Sequence, residues 1–167
     1  AALTAGVATS GVLSGGNETD IYRFDAIAGE RYFFDQVSAT NTDTAWRLFD
    51  PYGGQVWGAG FNDIDVQTLK VTGTYTLLIE GFVATTDPSD YSFTLHKVTD
   101  TAAALSLGET VNGTIATPGQ QSRFTKFADY WEKGKPFVDE LTIIDFPEDT
   151  ARVNALLGGQ VDAIDNL

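Results

Sequence analysis

Between Thr19 and Val37 the chain reads TDIYRFDAIAGERYFFDQV, and the two-residue rhythm of this stretch narrows the fold more than any other feature. Tyr22, Phe24 and Ala26 fall on one side of an extended chain, with Arg23 and Asp25 on the other. Tyr32 and Phe34 then alternate with Arg31, Phe33 and Asp35. A pleated strand with one buried face requires this alternation, and a helix cannot use it. Ala28-Gly29-Glu30 supplies the turn, because glycine enters positive φ without steric cost. The spacing predicts a hairpin with Tyr22, Phe24, Ala26, Tyr32 and Phe34 inward.

The same grammar continues to about residue 98. Val7 to Leu13 reads as a first strand, and Ser14 to Glu18 as a turn. Thr44 to Asp50 reads as a strand with Trp46 and Leu48 on one face, closed by Asp50-Pro51-Tyr52-Gly53-Gly54, where proline fixes φ and glycine allows reversal. Gln55 to Phe61 is a short strand interrupted by Gly58 and Gly60, and 62–65 is an acidic loop. Val66 to Val71 and Thr74 to Glu80 are strands, the latter with Tyr75, Leu77 and Ile79 inward. Gly81 to Ser89 is a loop. Asp90 to Val98 is the last clear strand, with Tyr91, Phe93 and Leu95 inward and His96 outward. About eight short strands punctuated by turns predict a mainly β chain, an antiparallel β-sandwich of jelly-roll type.

Beyond residue 98 the pattern loosens. Thr99 to Ala104 reads as a linker. Gly113-Thr114-Ile115 then echoes Gly11-Val12-Leu13 at an offset of 102, and Phe124 echoes Tyr22, but Lys126 stands where Phe24 would recur. A repeat that starts and stops implies a truncated second β-module over 100–125. From Lys126 a short α/β segment follows. Phe127 to Lys133 is aromatic and charged, Gly134-Lys135-Pro136 is a turn, and Leu141 to Phe146 reads as a buried strand. A helix over Thr150–Leu157 has Asp149 as N-cap and Gly158 as stop, and Val161 to Ile164 reads as a strand. The expected organisation is therefore a sandwich over 1–99, the truncated module over 100–125 and the α/β tail over 126–167, which is too short to bury its own apolar faces.

Charge and composition exclude several functions. Hydrophobic residues make up 43%, enough for a core, and the net charge is −13. Residues 1–125 carry 14 acids and 6 bases, residues 126–167 carry 9 acids and 4 bases, so both parts are acidic. Nucleic acid and anionic membranes require clustered cations, and neither is expected as a partner. No apolar run reaches the roughly 18 residues of a membrane span. The chain has no Cys, which removes disulfides, thiolate metal sites and thiol nucleophiles. A chain beginning at Ala1 with no visible signal peptide suits a processed or excerpted segment.

Two family resemblances follow from the residues. Gly11, Asp20-Ile21-Tyr22-Arg23-Phe24, Ala28-Gly29, Phe34-Asp35, Trp46-Arg47-Leu48, Asp50-Pro51-Tyr52-Gly53 and Gly73-Thr74-Tyr75-Thr76-Leu77 make residues 7–98 resemble the bacterial pre-peptidase C-terminal domain. Residues 105–125 look like the first two strands of another copy. The resemblance implies a small non-catalytic β-sandwich found beside secreted enzymes, proteases among them, or in surface arrays, sometimes binding Ca²⁺ or a polymeric surface such as a polysaccharide. Asp129-Tyr130-Trp131, Gly134-Lys135-Pro136, Asp139-Glu140, Thr150, Ala155-Leu156 and Gly159-Gln160-Val161-Asp162-Ala163-Ile164 make residues 127–167 resemble the solute-binding proteins of peptide ABC transporters. That resemblance implies a fragment of a larger two-lobed protein, with most of the peptide cleft in parts this chain lacks. The two patterns meet near Lys126, as in a fusion or chimera. Both resemblances imply a secreted, cell-surface or periplasmic bacterial location.

The candidate chemistry is calcium binding. Ca²⁺ takes hard oxygen ligands from turns, and three acidic clusters qualify: Asn17, Glu18 and Asp20; Asn62, Asp63 and Asp65; Asp87 and Asp90. None has EF-hand spacing, and such residues favour turns in any case. His96 is the only histidine. With no G-x-S-x-G turn and no Cys, neither a catalytic triad nor a zinc site can be built around it. No paired carboxylates stand out for glycoside hydrolysis. Tyr52, Trp57 and Phe61 could stack on sugars, although alternation fits core packing better. Asn17-Glu18-Thr19 and Asn112-Gly113-Thr114 match the N-glycosylation pattern, usually a coincidence in a bacterial chain. The expected role is a non-enzymatic module for adhesion, spacing or assembly, with the strands of 110–125 exposing an edge that self-associates by strand addition.

Overall fold

Each alternating stretch of the first hundred residues becomes a strand. The computed structural model describes residues 1–15, 18–106, 110–126, 132, 139–146 and 149–164. The chain divides into two compact units, Ala1–Lys97 and Val98–Leu167. The first holds β1 (Ala8–Leu13), β2 (Thr19–Ala26), β3 (Arg31–Ala39), β4 (Thr44–Phe49), β5 (Gln55–Gly60), β6 (Ile64–Thr68), β7 (Gly73–Gly81) and β8 (Ser89–Val98). They form two four-stranded sheets, ordered β1-β8-β3-β6 and β2-β7-β4-β5. These two orders make a jelly roll, the architecture that the alternation predicts. The acidic loop is shorter than expected, because β6 begins at Ile64 and ends at Thr68.

The β2–β3 connection is not a hairpin. The two strands lie in opposite sheets, so Ala28–Glu30 carries the chain across the sandwich rather than back along one sheet. Both strands bury one face, and placing them in facing sheets lets those faces meet. The Phe24 ring lies 5.2 Å from Tyr32 and 6.3 Å from Phe34. The turn hydrogen-bonds to the segment after β6: Gly29 N–H donates to the Leu69 carbonyl at 2.7 Å, and Leu69 N–H to the Glu30 carbonyl at 2.9 Å. Gly29 has φ +92°, as the turn requires.

The interior is filled with rings and aliphatic side chains. Phe34, Trp46, Leu48, Leu77, Ile79 and Phe93 are wholly inaccessible to solvent, each contributing about 1.5–3 kcal/mol by burial. Trp46 touches Phe34, Trp57, Phe61 and Phe93 at centroid distances of 6.2, 5.5, 4.7 and 6.0 Å, all edge-on. The indole N–H groups of Trp46 and Trp57 are buried without an acceptor, a cost of about 1–3 kcal/mol each that the aromatic burial offsets. Phe33 points away from this interior, as expected, yet is only 2% exposed. Its ring stacks near that of His96, with centroids 6.1 Å apart.

The second unit holds β9 (Thr101–Ala104), β10 (Gln121–Thr125), β11 (Glu140–Ile144) and α1 (Asp149–Leu157). Its sheet is ordered β11-β10-β9, with β9 parallel and β11 antiparallel to β10. Several expectations change here. The stretch read as a linker contributes β9. Residues 113–115 form no strand, so only the second strand of the echoed pair exists, and it is central rather than an open edge. Lys126 continues the ladder, its N–H donating to the Asp139 carbonyl at 3.1 Å, so strands from both sides of residue 126 share one sheet. The segment read as a buried strand is an edge, with Leu141 51% and Ile143 44% exposed. Residues 161–164 form no strand. The helix ends at Leu157 as expected, but its closing glycine is Gly159 rather than Gly158: Gly159 takes φ +69°, and Gln160 N–H reaches the Ala155 carbonyl at 2.8 Å, a Schellman closure. The turn at 134–136 and most of the aromatic 127–133 stretch lie outside the described residues.

One close approach ties β1 to the core. A Cβ placed on Gly11 would lie 2.3 Å from the Tyr91 hydroxyl oxygen, so only glycine lets β1 pass over that ring. Gly11→Ala is therefore expected to lower unfolding free energy by about 1–3 kcal/mol, measured by urea denaturation. An unchanged midpoint would show that Tyr91 can move away freely.

Candidate functional site

The alternation that fills the interior also sets the outer surface of the β1-β8-β3-β6 sheet. Tyr91 and Phe93 point inward, so Asp90 and Ser92 point out. Ser10 pairs with Ser92, and Val12 with Asp90, in the β1–β8 register. Ser38 of β3 reaches Ser92 from the other side, Oγ to Oγ 2.7 Å. Together these residues line an open depression of about 370 Å³, with Ser10, Gly11, Val12, Ser38, Asp90, Tyr91 and Ser92 at its walls. Three hydroxyls, one exposed carboxylate and the partly exposed Val12 make it a hydrogen-bonding surface. It is open to solvent, and its hydroxyls and carboxylate can exchange hydrogen bonds with polar groups. Sequence reasoning singled out Asp90 alone. The serines were visible as outward positions of ATSGVL and DYSFTLHKV, but nothing in one strand says which strand lies beside it.

The acidic clusters scatter. Glu18 accepts the Ser14 N–H, and Asp20 accepts the Tyr91 hydroxyl. Asp63 Oδ1 accepts the Gln36 N–H at 2.7 Å and Asp65 Oδ1 the Val66 N–H at 2.7 Å. The Asn62 backbone N–H donates to Gly60 at 2.8 Å. Asp87 is exposed in the loop before β8. Asn17 lies outside the described residues. Among the described residues, no group of three or more His, Cys, Asp or Glu side chains converges as a metal site would require. The aromatic strip also disperses: Phe61 is 7% exposed, Trp57 packs on the core and Tyr52 is 86% exposed.

Asp20 instead ends a hydrogen-bonded chain between the sheets. The Tyr22 hydroxyl on β2 and the Tyr91 hydroxyl on β8 are 2.7 Å apart, and Tyr91 donates onward to Asp20. Burial holds both phenols above their usual range, and for Tyr91 the adjacent Asp20 carboxylate adds to the effect. Both phenols stay protonated at any ordinary pH. The chain is a structural tie, because a buried phenol needs a partner. His96 lies on the outer face beside Asp35, Nε2 to Oδ2 3.1 Å.

Glu30, in the β2–β3 connection, is the most perturbed carboxylate among the described residues. Its oxygens accept from Lys97 Nζ, from the Ile27 N–H at 3.1 Å and from the Tyr32 hydroxyl at 2.9 Å. These bonds, Lys97 first, pull it from 4.5 down to about 2. A carboxyl depressed on folding contributes stability that is present above its unfolded value and lost as pH falls through the folded one. The melting temperature is therefore expected to drop between about pH 4.5 and 2. Glu30→Gln should flatten that slope, and an unchanged acid limb in the variant would place the sensitivity elsewhere.

No curated protein matches the sequence. Among solved structures, Aeromonas hydrophila PliG, a periplasmic lysozyme inhibitor of g-type lysozyme, is 15% identical over 55% of this chain and 84% of its own, with TM-score 0.47. The pre-peptidase C-terminal domain of Bacillus anthracis collagenase is 18% identical over 56% and 91%, with TM-score 0.48. Salmonella Typhimurium PliG, an inhibitor of the same kind, is 19% identical over 56% and 95%, with TM-score 0.41. These scores leave the strand order itself as the basis for the jelly roll. The family of bacterial extracellular solute-binding proteins, family 5 (middle), matches residues 32–167, from β3 through the second unit. That match extends well upstream of the 127–167 segment whose residues resemble the family. No described helix is long and apolar enough to cross a membrane. The chain belongs to the family 5 bacterial extracellular solute-binding proteins, and its place is the periplasm or the secreted fraction.

Proposed function

We propose that the chain is a non-catalytic extracellular β-module whose jelly roll serves adhesion or spacing. The observation that carries this reading is the filled interior: Phe34, Trp46, Leu48, Leu77, Ile79 and Phe93 leave the sandwich no exposed core surface. Recognition then belongs to the outer surface, where Ser10, Ser38, Ser92 and Asp90 present hydroxyls and a carboxylate in the open depression. Such groups suit the hydroxyls of a polymeric surface such as a polysaccharide, and several weak contacts add along a repeating ligand. Asp90→Ala combined with Ser92→Ala is expected to weaken retention on insoluble polysaccharide about tenfold, two lost hydrogen bonds amounting to about 1.4 kcal/mol. Equal retention of the variant, or none by the wild type, would sink the reading.

The family match favours a second reading, capture of a solute. It predicts stabilisation by ligand mass action, about 2.7 kcal/mol at a hundredfold excess over Kd. Thermal melts with mixed short peptides are expected to show no shift, since no enclosed cleft is described. A rise of several degrees would move the assignment to solute capture. The same melts test calcium. With Glu18, Asp20, Asp63 and Asp65 engaged by protein donors, millimolar Ca²⁺ is expected to leave the midpoint in place. A clear rise reversed by chelation would assign an ion to one of the acidic clusters.

A further inference from the structure

The edge strand β11 lacks the usual protection against pairing with another strand. Its sequence, Glu140-Leu141-Thr142-Ile143-Ile144, has no lysine or proline to block an approaching chain, and its only charge is Glu140. Edges without such protection recruit other strands. Among the described residues, β11 pairs with β10 alone. The ladder to β10 shows which groups face away from it. Lys126 N–H bonds to the Asp139 carbonyl and Asp145 N–H to the Gln120 carbonyl. In an antiparallel ladder hydrogen-bonded pairs alternate, so residues 141 and 143 also bond toward β10. The N–H and C=O of Glu140, Thr142 and Ile144 therefore point away from it.

We propose that β11 pairs antiparallel with β11 of a second copy across a two-fold axis at Thr142, joining two three-stranded sheets into one of six. In this register Thr142 faces the partner's Thr142 and Glu140 faces the partner's Ile144. These are the residues with outward backbone groups, so about six hydrogen bonds close the seam. Leu141 then stands opposite the partner's Ile143 as a close, non-hydrogen-bonded pair, the geometry in which cross-strand side chains touch best. Both belong to one face, which also carries Ala103 and Phe124 by register, and both are about half exposed in the single chain. The self-complementary register, Leu141 against Ile143 and Glu140 against Ile144, favours a second copy as occupant. The two-fold sets each Glu140 against an isoleucine rather than against the other Glu140. Shifting the axis to residue 140 or 144 keeps the hydrogen-bond parity but leaves fewer residues paired. At the ends Asp139 faces the partner's Asp145, so association strengthens as salt screens that repulsion. The pairing gives the assembly role of the proposed module a specific seam, whereas the adhesive surface on the jelly roll stands or falls separately.

Sedimentation velocity of the full chain over a range of concentrations tests the proposal, at low salt and at about 0.5 M NaCl, where screening is strong. The expected result is a concentration-dependent monomer–dimer equilibrium that tightens with salt. Thr142→Pro removes an N–H that points away from β10, so the chain keeps its ladder while the seam is blocked. It should weaken association at least tenfold with circular dichroism unchanged. Ile143→Lys tests the same seam if the proline variant fails to fold, and Ala103→Lys, on the opposite edge strand, should leave association intact if the seam is at β11. A monomer at every concentration, or a dimer that survives both β11 variants, overturns the proposal.

Discussion

Two sheets with one apolar face each have a single good solution in water, which is to press those faces together. Contacts across this chain's sandwich carry that constraint: Phe24 of β2 against Tyr32 and Phe34 of β3, Tyr22 of β2 against Phe93 of β8 at 5.4 Å, and Phe34 of β3 against Trp46 of β4. The remaining features of the first unit follow from keeping these rings opposed. Most consecutive strands switch sheets, so connections such as Ala28–Glu30 cross the sandwich ends. Gly11 lacks a side chain because β1 must pass over Tyr91. Several polar groups enter the interior in pairs, as with Tyr22 and Tyr91, or Thr44 and Ser89 at 3.0 Å, while the Trp46 and Trp57 indole N–H groups stay unpaired.

Filling the core this completely directs function outward. With the interior filled, the outward positions of the same strands present hydroxyls, carboxylates and ion pairs. On the other sheet Arg47 is held to Glu80 through two guanidinium nitrogens and lies 5.7 Å from the Phe49 ring centre. Such contacts order the surface without enclosing it.

The second unit obeys the same physics with less material. Its described residues form three strands and one nine-residue helix, too few to bury both sides of a sheet. Among the helix residues only Ala155 is buried, while Leu157 is 79% exposed. Apolar surface and an unprotected edge remain, and these are the conditions under which strands recruit partners. The family match runs from β3 through this unit, and β10 and β11 join across residue 126. The change of sequence grammar near Lys126 therefore does not interrupt the ladder.

The sequence determined which residues of 1–98 are strands and which side of each is inward, because burial of one face imposes a two-residue period visible in a single chain. Tyr22, Phe24, Trp46, Leu48, Tyr75, Leu77, Tyr91 and Phe93 were legible in that way, as was the outward place of His96. Pairing was not legible, since alternation is blind to neighbours. The tertiary structure alone decided that β2 and β3 part into opposite sheets, that Ser10, Ser38 and Ser92 converge, and that Asp20 serves Tyr91. It also decided that LTIIDF, whose apolar run reads as buried, lies at an edge. A hydrophobic run reports affinity for an interior, but only the number of strands and helices around it decides whether there is one.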